Sequence, residues 1–339
     1  NENEYKEGTR IDFLFDLILK KPSKSDSFFA YRYFEKLFNA QKSILKSWDE
    51  IIQLFYKLLN WYEDSEIFHF VGFLTNSNIK KLDKLLQDYK GKTKEELKAE
   101  LKKDIKNYFY SHKDKTEEGK EFFICSINNL HYKNYYPETL KVLLLYNVLY
   151  YFYNMAGHKF PFELFVKEKW SIEHIIPQNP KDIEDIEVFA QWFEDIVSYG
   201  DVDISDDFII KIKSFGSIEE LRKDKLFKSL IDKIVEETED VTHDLNNLLL
   251  LDRNTNSSLG NKLFDVKRSK IVQFDKDGYN DKGKPVFIPY ETLNAFNKTF
   301  SKEINIKNWT KEDGDNYVAA IQKRLRDFIP PTNQLNEKN

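Results

Sequence analysis

Apolar residues recur every three to four positions through most of the first half of the chain. Ile11, Phe13, Leu14, Leu17 and Ile18 fall on one face of a 3.6-residue helix, and Ile51, Leu54, Phe55, Leu58 and Leu59 repeat the pattern. Ser47-x-x-Glu50 and Thr93-x-x-Glu96 read as capping boxes, in which each side chain bonds a backbone N–H that the first helical turn leaves unpaired. Residues 104–112 are amphipathic, and Pro137, whose ring fits a first helical turn, opens an apolar helix reaching Met155. Residues 8–157 are therefore expected to be helical almost throughout. Their many Phe and Tyr residues are read as core rather than as a base-stacking surface.

The texture changes after Gly157. Residues 160–166 and 170–176 are short, apolar and β-friendly, divided by Lys167-Glu168-Lys169 and stopped by Pro177 and Pro180. Helical spacing returns over 181–240. Residues 245–251 again read as a strand, and 256–270 as a helix. Residues 286–300 and 309–328 close the chain as helices, the second capped by Thr310-x-x-Asp313. The expected organisation is mainly α with a small β part. A helical domain covers 1–157, a second domain covers 158–330 with a helical insertion at 181–240, and a polar, flexible tail covers 331–339.

Composition narrows the classes. Apolar residues are 41% and charged residues 32%, which allows a real core, and only 11 Gly and 9 Pro fit long helices better than a loop-rich β protein. A single cysteine, Cys125, excludes a disulfide framework and fits a reducing cytoplasm. It lies in an apolar stretch and is read as a packing residue. The longest apolar run, 142–153, is too short to span a bilayer and is broken by Asn147, and no signal-like segment opens the chain. The chain begins with Asn1 rather than Met, which is expected of a trimmed or partial polypeptide. The net charge of −5 is uneven: ten acidic residues and one basic residue lie between Lys181 and Asp207, whereas 262–270 leans basic. The acidic stretch is read as a solvated face, and any contact with DNA must be local.

Two stretches are polar where the surrounding pattern is apolar. One is Ser171-Ile172-Glu173-His174-Ile175-Ile176-Pro177-Gln178. The other is His243-Asp244-Leu245-Asn246-Asn247, followed nine residues later by Asn256. Phosphodiester hydrolysis calls for a hard cation held by a few oxygen ligands, for which a strand carboxylate and a helix amide suffice. It also calls for a neutral His to take a proton from water. Neighbouring strand residues point to opposite faces, so bringing Glu173 and His174 to one site requires a twist or bulge near Pro177. Asn247 is placed to tie the loop or orient the His. His243 is read as a turn cap, with a third ligand or a phosphate contact as the alternatives. Asn261 is read as a phosphate contact or a helix cap, and Lys267 and Arg268 as holding DNA backbone, with a solvated face as the alternative. The remaining histidines, His69, His112, His131 and His158, are read as structural or surface residues.

Glu173-His174-Ile175-x-Pro177 resembles the opening of the HNH (ββα-metal) nuclease motif, and Asn247-Leu248 with Asn256 is similar to its second half. The longer string runs from Trp170 to Gln178, then His243-x-Leu245-x-Asn247-Leu248, then Asn256-Ser257-x-Leu259-x-Asn261-x-x-Phe264-x-x-Lys267-Arg268. It resembles the C-terminal nuclease domain of GmrSD-like, modification-dependent (type IV) restriction proteins. That resemblance implies His174 as general base, Glu173 and Asn256 as ligands of a divalent ion (Mg²⁺, with Mn²⁺ as the alternative), and Asn247 as the structural Asn of the motif. It implies DNA as substrate and a nucleotide-hydrolysing N-terminal domain or subunit, not visible in this chain, as partner. Two positions depart from the pattern: Asn246 stands where Gly is common, and Gly260 where Ser is usual. The competing expectation is a non-catalytic DNA-binding or regulatory module that docks such a partner.

Overall fold

A computed structural model describes residues 10–22, 24–39, 44–177, 183–301 and 306–332. Gln178 and Pro180 of the motif region, and tail residues 333–339, lie outside the described residues. In chain order the elements are α1 (Arg10–Ile18), α2 (Phe29–Asn39), α3 (Ile44–Glu63), α4 (Ser65–Asn76), α5 (Leu82–Asp88) and α6 (Lys94–Ser111). A hairpin of β1 (Lys113–Lys115) and β2 (Glu121–Phe123) follows, then α7 (Tyr136–Asn154), α8 (Phe162–Lys167) and β3 (Ser171–His174). Next come α9 (Ile186–Tyr199), α10 (Asp206–Lys213), α11 (Ile218–Lys223) and α12 (Lys225–Thr242). The chain closes with β4 (Leu248–Leu251), α13 (Arg253–Leu259), α14 (Phe264–Asp277), α15 (Tyr290–Phe296) and α16 (Lys311–Leu325). The protein is thus mainly α with a small β part, as the periodicity predicts. No helix among the described residues is long and apolar enough to cross a membrane.

Two compact units divide the chain, residues 1–102 and 103–339, so the boundary falls inside α6 rather than at Gly157. The reason is α7. It buries Val142 to Leu149 and packs on β4, α15 and α16, which ties it to the second unit. In the first unit the aromatic residues divide: Phe70 and Phe73 are buried, whereas Phe28, Tyr31, Phe38, Phe55 and Tyr56 are exposed. Reading all of them as core is corrected to that extent, because α2 buries no residue at all.

Other local expectations separate by the strength of their signal. Thr93 and Glu96 form the reciprocal cap of α6, and Thr310 with Asp313 that of α16. Ser47 sits inside α3, so the box read there is not a cap. Residues 160–166 form no strand; α8 begins within them at Phe162, with Phe165 N–H donating to Pro161 O. The expected helix over 286–300 shrinks to α15, which begins only after Pro289. The β1–β2 hairpin was not legible, since its strands are three residues long and carry no alternation of apolar and polar positions.

What positions the functional residues is the pairing of β3 with β4, 70-odd residues apart in sequence order and separated by the helices α9–α12. The pairing is antiparallel, with Ser171 opposite Leu251, Glu173 opposite Leu249 and His174 opposite Leu248. All four leucines of β4 are buried. Thr292 Oγ1 donates to Leu250 O at 2.6 Å and the Tyr317 hydroxyl to Leu248 O at 3.2 Å, so α15 and α16 close over the free edge of this short pair.

Candidate active site

Asn247 fastens the end of β3. It is fully buried, its Oδ1 accepts from Ile176 N at 2.8 Å, and its Nδ2 donates to Thr242 O at 2.8 Å and Ile176 O at 3.3 Å. Its own carbonyl accepts from Ile175 N. One side chain therefore joins the turn after His174 to the last turn of α12, and holds the strand end where the chemistry-bearing residues emerge. Trp192 Nε1 donates to Pro177 O at 2.8 Å and secures the same turn from α9.

Glu173 and His174 leave β3 on opposite faces, as strand geometry demands, and the register through them is regular. Of the twist or bulge expected near Pro177, no bulge interrupts the pairing through His174. The two residues stand at the last rungs of the ladder, Glu173 opposite Leu249 and His174 opposite Leu248. His174 is half-buried and its Nε2 lies 3.3 Å from His243 Nδ1. The ring of Tyr132 meets His174 edge-on at 4.5 Å and stacks on His243 at 5.7 Å. Burial, with the nearby His243, Lys267, His131 and Lys133, pushes His174 down to about 2. The ring is therefore neutral at neutral pH.

His243, read from the sequence as a turn cap, is 1% exposed and its Nδ1 faces His174 Nε2. Tyr132 and His131 were not found from the sequence as part of this cluster. They come from an irregular stretch before α7, brought in by the bond from Tyr132 N to His243 O and the bridge between His131 and Asp244. Nothing periodic marks that stretch, so no local signal pointed to it. His69 and His112 match the structural reading, with Nδ1 atoms on Ser65 O and Tyr108 O. Cys125 is fully buried, and burial pushes its thiol up to about 12.

On the other face, Glu173 is buried and its Oε1 lies 2.6 Å from Lys267 Nζ. Burial raises this carboxyl above the usual range, and the Lys267 ammonium works against that rise. Asn256, on α13, donates from Nδ2 to Ser171 Oγ at 3.0 Å and Ile172 O at 3.2 Å. Ser171 and Glu173 share a strand face, so the Asn256 amide meets β3 on the side that carries Glu173. The cap that sets this helix is Asp252, accepting from Asn254 N and Thr255 N.

The two basic residues expected at DNA differ in exposure, Lys267 being buried and Arg268 half-exposed. Lys267 is 1% exposed and gives its second bond to His174 O at 2.6 Å. Arg268 donates from Nε to Phe296 O at 3.1 Å. Asn261, half-exposed, follows Gly260 in the turn between α13 and α14, so the continuous helix read over 256–270 is two helices. Gly260 ends α13 with φ 54° and ψ −145°, a conformation suited to glycine. That accounts for Gly at a position that departs from the motif. Asn246, the other departure, has no left-handed backbone; it lies in a 3₁₀ turn spanning Leu245–Asn247.

The family description "GmrSD restriction endonucleases, C-terminal domain" matches residues 75–324, most of the chain. The protein belongs to the GmrSD restriction endonuclease family, through its C-terminal domain. Membership makes this GmrSD-family chain a nuclease-type hydrolase with DNA as the substrate class. No curated protein and no solved structure matches it. Within the GmrSD match fall β3, β4, α13 and α14, and with them Glu173, His174, Asn247, Asn256 and Lys267.

The oxygens of Glu173 and Asn256 suit a divalent ion of the magnesium type, which takes few protein ligands and keeps water and phosphate in its remaining positions. Among the described residues no group of three or more His, Cys, Asp or Glu side chains could hold a metal ion. A hard-cation site of one carboxylate and one amide is the arrangement these residues can offer.

Proposed function

We propose that this domain is an HNH-type endonuclease that hydrolyses DNA phosphodiester bonds with a divalent metal, in restriction of foreign, modified DNA. The observation that carries the reading is the pinning of one strand end from two directions. Asn247 fixes the turn after β3 and Asn256 bonds to β3 itself, which holds from both sides the strand end that carries Glu173 and His174.

In this reading a scissile phosphate crosses the end of β3. His174, neutral and with Nε2 facing His243, takes the proton of the attacking water. Burial that keeps the ring neutral also weakens it as a base. The negative phosphate brought in by DNA opposes that effect, since a nearby anion favours the imidazolium. Tyr132 packs against the ring and limits its rotation. Glu173 Oε2 and Asn256 Oδ1 would hold Mg²⁺ or Mn²⁺, which would offset charge developing on the leaving oxygen. Asn247 acts by holding the strand end, without touching substrate. Asn261, in the turn after α13, is assigned to the DNA backbone. Recognition of the modification is assigned to a nucleotide-hydrolysing domain or subunit, the partner implied by the resemblance.

The test is plasmid cleavage with Mg²⁺ or Mn²⁺, compared with EDTA and with His174→Ala. Metal-dependent nicking or linearisation that the variant loses, by at least about 100-fold, supports the proposal. Cleavage by the variant at the wild-type rate removes His174 as base. DNA binding without cleavage under any metal favours the non-catalytic module.

A further inference from the structure

Helix α14 presents one buried stripe, Phe264, Lys267, Ile271 and Phe274. Three of these are ordinary core residues at helical spacing. The fourth is a lysine that is 1% exposed, with both of its short contacts turned inward, to Glu173 Oε1 and His174 O at 2.6 Å each. We infer that Lys267 is a positioning residue of the nuclease site, fixing the Glu173 carboxylate and the His174 backbone through one buried ammonium. This rests on the assignment of Glu173 as a metal-holding residue.

The alternative use of this lysine, a bond to DNA phosphate, conflicts with its surroundings. Reaching solvent would break both contacts and leave the Glu173 carboxylate buried without a counter-charge, which is a severe cost. The arrangement also answers a difficulty of consecutive strand residues. Glu173 and His174 project to opposite faces, so no single side chain can touch both of their functional groups. Lys267 instead grips the carboxylate of one and the carbonyl of the next. The carboxylate is thereby held with one oxygen on the ammonium and its orientation fixed before any metal arrives. A compact ammonium with three donors suits the space between a carboxylate and a carbonyl better than a planar guanidinium.

The experiment is direct binding of Mn²⁺ to the full chain, read by electron paramagnetic resonance without DNA, for wild type, Lys267→Met, Lys267→Arg and Glu173→Gln. DNA binding in EDTA is read in parallel by fluorescence anisotropy over a range of salt. Loss of an outer partner of a ligand weakens metal binding about 10- to 100-fold, and that is the rise expected in the Mn²⁺ dissociation constant of Lys267→Met. Lys267→Arg keeps the charge and should fall between the two; it carries the test if the neutral variant does not fold. The slope of DNA affinity against salt should not change in either variant. A phosphate contact would lower that slope by about 0.9, and such a drop, or unchanged Mn²⁺ binding in both variants, overturns the inference. Glu173→Gln separates the two levels. If it abolishes Mn²⁺ binding while both Lys267 variants bind normally, only the role of Lys267 fails. If wild type and Glu173→Gln bind Mn²⁺ alike, the metal assignment fails and this inference with it.

Discussion

Asn247 shows how much one amide can organise when every group it meets is backbone. Its three bonds satisfy Ile176 N, Ile176 O and Thr242 O in a place from which water is excluded. Replacement by Ala would strand at least two of those groups, each costing about 1–3 kcal/mol when left bare. Asn247→Ala should therefore lose about 2–4 kcal/mol in urea unfolding, within the range expected when a buried hydrogen-bond network is broken. Cleavage should fall with it, because the loop that ends β3 loses its tie. A variant as stable as wild type would show that the turn is held mainly by Trp192 and the strand pairing. The residue's identity was legible from its nine-residue step to Asn256. Its partners were not, since two of them lie about seventy residues away in sequence.

Among the elements, the break between α13 and α14 sets where Asn256 sits relative to Lys267. Gly260 makes that break at φ 54° and ψ −145°, and Gly278 ends α14 at φ 73° and ψ 8°. Neither would bring a new Cβ within 4 Å of another atom, so the cost of substitution is backbone strain alone. The left-handed helical region around Gly278 is open to other residues at about 1–2 kcal/mol, whereas the region around Gly260 is nearly glycine-only. Gly260→Ala should therefore destabilise by about 2–3 kcal/mol, against about 1 kcal/mol for Gly278→Ala. Denaturant midpoints at unchanged slope would measure both. The reverse order, or equal costs, would mean that α13 re-caps without strain. Sequence periodicity ran the two helices together because only residues 260–263 separate them.

For the molecule as a whole, the sharpest pH signature comes from α9. Asp195 is 5% exposed, and burial pushes its carboxyl up to about 7, with Glu194 and Asp265 adding to the rise and Gln191 and Lys298 opposing it. Unfolded, the same group loses its proton near about 3.9. Between those values the folded chain binds the extra proton, so this group's contribution to stability falls as pH rises from about 4 to about 7. Asp195→Asn removes the penalty. Its melting temperature should exceed that of wild type at pH 8, and the gap should close towards pH 4. A gap of the same size at every pH would assign the effect to packing instead. Removing the charge should leave the Trp192 and Asn247 ties in place, so cleavage should persist.

What the sequence determined by itself was local or carried by short spacing. Capping boxes at Thr93 and Thr310, the proline-led start of α7 and the helical phase of most segments depend on neighbours within a turn or two, and the structure keeps them. The motif pair from Glu173 to Asn256 was legible for a related reason: each half is a compact string with fixed steps. Tertiary structure decided the rest. Residues 160–166 carry apolar residues compatible with either helix or strand, and packing around Phe160 and Trp170 selected α8. Tyr132 reaches His174 only because an irregular stretch pairs with residues more than a hundred positions later. Lys267 lay in plain view on an apolar helical stripe, where a charge signals a buried partner. Which partner it was depended on pairing β3 with β4, because only that contact brings the Glu173 carboxylate under α14.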